Sequence, residues 1–377
     1  MLRLLPLAVI ATTAVLGQPV FQTLHSFTGE DGRNPQSTLT EVTPGVFYGT
    51  TQNSNDGSSK LYKITSEGEF TVLHNFEPGA EGFRARGRLC LASDGQLYGK
   101  LDRGGPYLLH DGSVYRSDRN GNVTVMQNEI SGLGVFSSPI EVNGILYGTA
   151  LLNNPPYSAV YVVRVGGDVV APVATLGSGP TLTVPGGPLV IGSDQAFYGV
   201  GDPDSPVPGG LRGNVFRLTS SGLQSLFTFT GEIGGGDPIP VLFPAANGRL
   251  YGVTTTGGAL GYGTLFSITT EGAINILHHF SNSDGGVPTA GLWQASDGKL
   301  YGTNGTLFRI LPDGTGFETV YSFLNGEGPT GIGPGVVQGL DGKLYGTTTL
   351  GGDAEAGQVF SIDLQLPKPA KTPSCLP

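Results

Sequence analysis

The chain has 377 residues, 63 of them glycine, more than double the ordinary share of ~7%, and a 38% hydrophobic fraction large enough to bury a core excludes wholesale disorder. Only 13% of residues are charged, and 20 basic against 30 acidic side chains leave a formal net charge of −10. The attraction that drives binding to nucleic acid or anionic membranes is therefore missing, and both partners are excluded.

The first element reads as a secretory signal. Arg3 precedes an apolar run from Leu4 to Leu16, broken by Pro6 and two threonines, and Gly17-Gln18 follows. The run is too short to anchor in a bilayer, and slim residues at Val15 and Gly17 predict cleavage after Gly17. A buried N-terminal helix is the alternative. No second long apolar stretch follows, and the end from Leu364 to Pro377 is polar and rich in proline. The expected organisation is a signal peptide over 1–17, one domain over 18–363 and a disordered tail over 364–377 in a secreted, extracellular protein without a membrane anchor.

After an isolated TLHSF (Thr23 to Phe27), a Tyr-Gly pair recurs at Tyr48, Tyr98, Tyr147, Tyr198, Tyr251, Tyr301 and Tyr345, at spacings of 50, 49, 51, 53, 50 and 44. Each pair precedes a short apolar and aromatic run such as LYKI from Leu61, VYRS from Val114 or VFSI from Val359. A glycine turn comes next, and most units then close on a run ending in Phe, as at Phe76, Phe229, Phe280 and Phe323. A further short run stands before every Tyr-Gly pair, for example LCLA at Leu89 and LWQA at Leu292. No stretch keeps a helical period, so each unit is four short strands.

Seven such units predict an all-β fold: a seven-bladed β-propeller of four-stranded antiparallel blades. An open solenoid is the competitor. The seventh unit stops after Ile362 without a fourth strand, and Thr23 to Phe27 is that missing strand. A ring closed by the N-terminal strand completing the last blade accounts for both fragments. The glycine after each tyrosine is expected to allow close backbone approach.

LYGTTTLGG (Leu344 to Gly352), GQVFSI (Gly357 to Ile362) and YGVTTTGGALGYGTLFSI (Tyr251 to Ile268) resemble the Gloeo-Verruco, or GloVer, tandem repeats of exported proteins. The resemblance spans nearly all of the mature chain and fades in units two to four, where KLDRGGPYLLHDG and VGDPDSPVPGGLRG replace the threonine and glycine pattern. It implies export and a propeller-like fold, and no reaction or catalytic residue.

Tight and long connections alternate within each unit, so the long loops share one face, where binding groups are expected. An acidic residue recurs in the loop after each Phe: Asp31, Glu81, Asp237, Asp284 and Glu327. These form either a ring of carboxylates for a hard cation or polyol, or turn residues satisfying local amides. Repetition favours the turn. His25, His74 and His278 occupy equivalent strand positions and read as structural.

His110 lies in a loop that departs from the repeat, beside Asp102, Arg103, Tyr107 and Asp111. If the protein is an enzyme, His110, Asp111 and Asp102 are its acid/base candidates, against the plainer reading of a solvated loop. Arg84, Arg86 and Arg88 form a local cationic patch able to meet a carboxylate or sulfate, or simply an ion-paired loop. Trp293, the only tryptophan, stands on an expected inner strand and either floors a ligand or packs in the core. With Arg84, Arg86, Arg103 and Tyr107 it makes the expected ligand-binding set. The connection Thr303 to Thr306 is the shortest on the long-loop side and the expected point of ligand entry. Asn122 and Asn304 are glycosylation acceptors in a eukaryotic host.

Cys90 and Cys375 are the only cysteines. A mid-strand thiol reads as a small buried hydrophobe, and a Cys90 to Cys375 bridge is the alternative. The chain lacks a GxSxG elbow, HExxH, CxxC or Walker loop, and neither a cofactor nor a metal is expected. Two functions compete: a monomeric binder of a small molecule or carbohydrate at the long-loop face and channel mouth, and a cofactor-free isomerase, lyase or cyclase using that mouth as a pocket. A surface scaffold for other proteins is a third.

Overall fold

The computed structural model describes residues 18–78, 81–103, 112–128, 133–152, 158–175, 185–201, 212–219, 222–232, 234–323, 332–370 and 375. Each Tyr-Gly unit builds one antiparallel sheet, and the seven sheets are the blades of a β-propeller. Blade one is Thr40–Thr43, Val46–Thr51, Ser59–Thr65 and Phe70–Phe76; blade two is Phe83–Leu91, Leu97–Arg103, Ser113–Ser117 and Val123–Val125. Blade six is Trp293–Gln294, Leu300–Thr303, Thr306–Ile310 and Glu318–Ser322. Blade three departs most from the pattern. Two short segments, Leu133–Val135 and Ile140–Val142, share its inner position, and Gln127–Asn128 adds in parallel to its outer strand Val169–Thr175.

Ring closure follows the expected course. Blade seven takes Ile332–Gln338, Leu344–Thr348 and Gln358–Asp363 from the C-terminal part and Val20–Ser26 from the N-terminal part. Val20 pairs with Asp363 and Ser26 with Gln358. Phe27, fully buried, then packs against Tyr62 of blade one at 5.4 Å. The first strand thus completes the last blade and seals it to the first.

The glycine of each Tyr-Gly pair sits opposite an aromatic residue of the neighbouring strand: Gly99 faces Tyr115 and Gly302 faces Phe308. A Cβ there would come within 3.0 Å of that ring, and the same holds at Gly49, Gly148, Gly199, Gly252 and Gly346. The expected close approach is therefore by a side-chain ring, not by backbone. The far end of the ring occupies the space that a side chain would need, and this couples two motifs that sequence spacing only shows as separate.

Two further contacts join one blade to the next. The Phe that ends a unit packs on the aromatic of the following one, as Phe76 on Tyr115 at 4.7 Å, Phe280 on Phe308 at 5.3 Å and Phe323 on Phe360 at 5.6 Å. The tyrosine hydroxyl reaches the turn of the following blade: Tyr48 donates to the Arg119 carbonyl at 3.0 Å, and Tyr251 to that of Pro312 at 2.9 Å. Tyr98 and Tyr345 also donate to Asp94 and Asp341, four residues earlier in the tight turn, at 2.8 and 2.7 Å. These tyrosines thus pack their rings in the core and satisfy their hydroxyls near the surface.

The cysteines form a disulfide across a separation of 285 residues, which corrects the reading of Cys90 as a free buried thiol. The segment expected as a disordered tail is held too: Ser296 Oγ and Gln338 Nε2 both donate to the Pro367 carbonyl, the latter at 3.0 Å. No helix among the described residues is long and apolar enough to cross a membrane.

Candidate functional site

The first strand of blade two has a direction set by its connections. It leaves the long loop at 77–82 and ends before the tight turn at Ser93 to Gly95, so Arg86 lies toward the long-loop face and Cys90 toward the tight-turn face. Equivalent strands from all seven blades surround the axis. Together they enclose a cavity of about 220 Å³ whose walls include Thr38, Arg88, Ile140, Pro188, Val241, Trp293 and Val336. The volume lies just below the usual range of small-molecule sites, about 300–1,000 Å³. Cys375 enters the wall at the tight-turn end, where its disulfide to Cys90 carries the end of the chain onto blade two.

Pairing register shows what is special about Arg88. It stands two residues before Cys90, the partner of Tyr98. The corresponding positions in the other blades are Thr38, Ser138, Pro188, Val241, Gly291 and Gly335. One blade contributes a cation to a layer of otherwise uncharged, mostly small residues. The guanidinium lies over the Trp293 ring, 5.2 Å from its centroid, in a cation–π arrangement. Burial pulls the Arg88 pKa down to about 10, so it stays a cation at neutral pH.

A second group lies nearer the long-loop face. Asp102 accepts from Lys100 Nζ through one oxygen and from Arg86 Nε through the other, both at 2.7 Å. Lys100 Nζ also donates to the Phe136 carbonyl of blade three at 2.6 Å. Burial lowers the Lys100 pKa, and the Asp102 carboxylate works against that shift. Arg86, Arg88 and Lys100 all line the cavity, and among the described residues Asp102 is the carboxylate that pairs with two of them.

Of the residues singled out from sequence, Arg86 and Trp293 line the cavity and Asp102 braces its wall. Arg84 does not line it; its backbone is left-handed, with φ 61°, and its N–H donates to Ser59 Oγ at 2.7 Å. Tyr107, His110 and Asp111 lie outside the described residues, as does the side chain of Arg103. Lys100 escaped notice, although KLDR in place of the usual threonines after Tyr-Gly marks it. Arg88 was visible only as part of a patch, because its isolation in the ring emerges once the blades are in register.

Three of the acidic loop residues serve their own loops, Asp237 joins Arg212 of blade four to Thr256 of blade five, and Glu327 lies outside the described residues. Asp31 accepts from His25 at 2.8 Å and from the Thr28 amide, and Glu81 pairs with His74 at 2.9 Å. Asp284 likewise pairs with His278 at 2.7 Å and caps Ser281. The His25 ring in turn stacks on Phe70 at 3.7 Å. The turn reading holds for these carboxylates, and among the described residues no group of acids, histidines and cysteines could hold a metal. Asn304 is buried, and its Nδ2 donates to the Asp284 carbonyl at 2.7 Å. No room remains there for a glycan on the folded chain, and this short connection is a packed turn. Asn122 is exposed.

Fold and site together define a seven-bladed β-propeller with a central cavity lined by half-buried cations. The chain belongs to the Gloeobacter/Verrucomicrobia repeat family, whose model matches residues 12–154, 111–304 and 184–369. No curated protein matches the sequence. Among solved structures it is similar to a glucose dehydrogenase at 12% identity, covering 91% of this chain and 99% of that one, with a TM-score of 0.46. It is also similar to the β-propeller domain of the Trilobed protease from Pyrococcus furiosus, at 9% identity, 90% and 95% coverage and a TM-score of 0.48. AofleA from Arthrobotrys oligospora matches at 13% identity, 78% and 86% coverage and a TM-score of 0.44. Likenesses at this level say nothing about what this chain binds.

Proposed function

We propose that the protein is an exported binder of a small molecule held in the central channel. The observation that carries this reading is the cavity on the ring axis, walled by all seven blades and containing Arg88 and Trp293. A propeller needs only apolar packing on its axis to be stable. Here the axis carries a cation held over an aromatic ring, a pairing able to meet a polar or anionic group of a ligand. Export is supported by the apolar run of the first 17 residues, and a secreted form beginning at Gln18 is the expected product.

Because Trp293 is the only tryptophan, its emission reports occupancy of the cavity. Titration with glucose, benzyl alcohol and benzoate should shift that emission for at least one of them. In Val241→Phe, whose new ring fills the cavity, the response should vanish while the circular dichroism spectrum is kept. A flat wild-type response to all three, or an equal response in the filled variant, overturns the reading. The competing function, a cofactor-free isomerase, lyase or cyclase, is favoured by Lys100, whose lowered pKa makes its amine more available as a base. That function predicts conversion of a bound compound, visible by mass spectrometry, where binding predicts its recovery unchanged.

A further inference from the structure

Taking the channel as the binding site, the character of its walls narrows the ligand. Polar character is concentrated on one side, where blade two supplies Arg86, Arg88 and Lys100. The opposite side is Pro188, Pro240, Val241, Leu292 and Val336. A sugar presents hydroxyl donors and acceptors around its whole rim and needs both kinds of partner in return. Gln36, Thr38, Ser137 and Ser138 stand beside these cations on blades one and three, so a sugar would find polar partners along only that part of its rim. Its carboxylate, Asp102, already accepts from Arg86 and Lys100.

We infer that the channel takes a small organic carboxylate with an apolar body, its charged end against Arg88 and Lys100 and its body among Pro188, Val241 and Leu292. Several features support this choice. Trp293 holds the Arg88 guanidinium in place by its ring face, so little side-chain freedom is lost when an anion arrives. Asp102 does the same for Lys100. The protein as a whole is acidic, with a net charge of −10, so the cationic wall is a local arrangement set against the general field. A charge-assisted hydrogen bond to a carboxylate is stronger than one to a neutral group.

The test compares benzoate with benzamide, nearly equal in shape and different in charge, by calorimetric titration of the purified full chain. Benzoate should bind about tenfold tighter or more, the factor expected for one charge-assisted hydrogen bond over a neutral one. Arg88→Met, which keeps bulk and removes charge, should reduce benzoate to the level of benzamide. The wild-type comparison needs no variant and decides the matter even if Arg88→Met fails to fold. Equal affinity for the two compounds overturns the inference and leaves the channel reading intact. Binding of neither overturns the inference, and the channel reading falls with it when glucose and benzyl alcohol also leave the Trp293 emission unchanged. Preference for benzylammonium over benzoate overturns the inference alone.

Discussion

A single methyl group separates the glycine of Tyr-Gly from alanine, and at Gly302 there is no space for it. The Phe308 ring occupies the site where the Cβ would stand, and the surrounding rings, Phe280 and Phe317, hold Phe308 in place. Gly302→Ala should therefore destabilise the chain by about 1–3 kcal/mol, the usual cost of overpacking, seen as a lower midpoint in urea. The tyrosine beside each glycine makes a second prediction. Burial pushes the Tyr98 phenol up to about 12 and raises those of Tyr198, Tyr301 and Tyr345 as well. An unfolded phenol titrates near 10, so the unfolded chain releases its protons first. Stability from these groups is complete below pH ~10 and falls as pH rises towards 12. Ultraviolet titration should show a delayed class of tyrosines that ionises together with loss of the fold; a single class at the ordinary value would contradict the packing.

At the level of strands, the repeated unit is held by contacts that point in one circular sense. The Phe closing one blade packs on the aromatic of the next, and the histidine two residues before it locks the following loop through a carboxylate, as in His278 and Asp284. Blades two and three lack that Phe; Met126 takes its place beside Tyr161 in the core. Replacing a buried Phe removes its apolar area and leaves a cavity, so Phe280→Ala should cost about 3–5 kcal/mol. A loss below 1 kcal/mol in chemical denaturation would show that blades five and six are held by other contacts. The divergent blades carry the cations of the channel: blade two supplies Arg86, Arg88 and Lys100, while blade three accepts Lys100 through the Phe136 carbonyl. Departure from the repeat and local charge thus coincide in one sector.

For the whole molecule, stability rests on closure. A ring of blades leaves only short outer sheet edges, and here the two ends of the ring meet within one blade along Val20 to Ser26. Deleting Val20 to Phe27 would expose the edge of Gln358–Asp363 and uncover Tyr62. The truncated chain should melt well below the parent and bind the channel ligand poorly. An unchanged melting temperature in calorimetry would refute closure by this strand. The Cys90 to Cys375 disulfide adds a second tie, carrying the chain end from blade seven back to the channel wall in blade two.

Sequence alone was sufficient for the period, the four strands of each unit, their seven-fold recurrence and the closing role of Thr23 to Phe27. These are properties of short stretches read many times over, and hydrophobic alternation and turn residues specify them locally. The site was legible only in part. Arg86 and Trp293 were found, whereas the pairing of Cys90 with Cys375, the reach of Lys100 to the Phe136 carbonyl and the placing of Arg88 over Trp293 emerged from the tertiary structure. The reason is geometric: each blade gives the axis only a few residues, so neighbours in the channel stand tens to hundreds of positions apart in the chain. Which of them meet is decided when the ring closes.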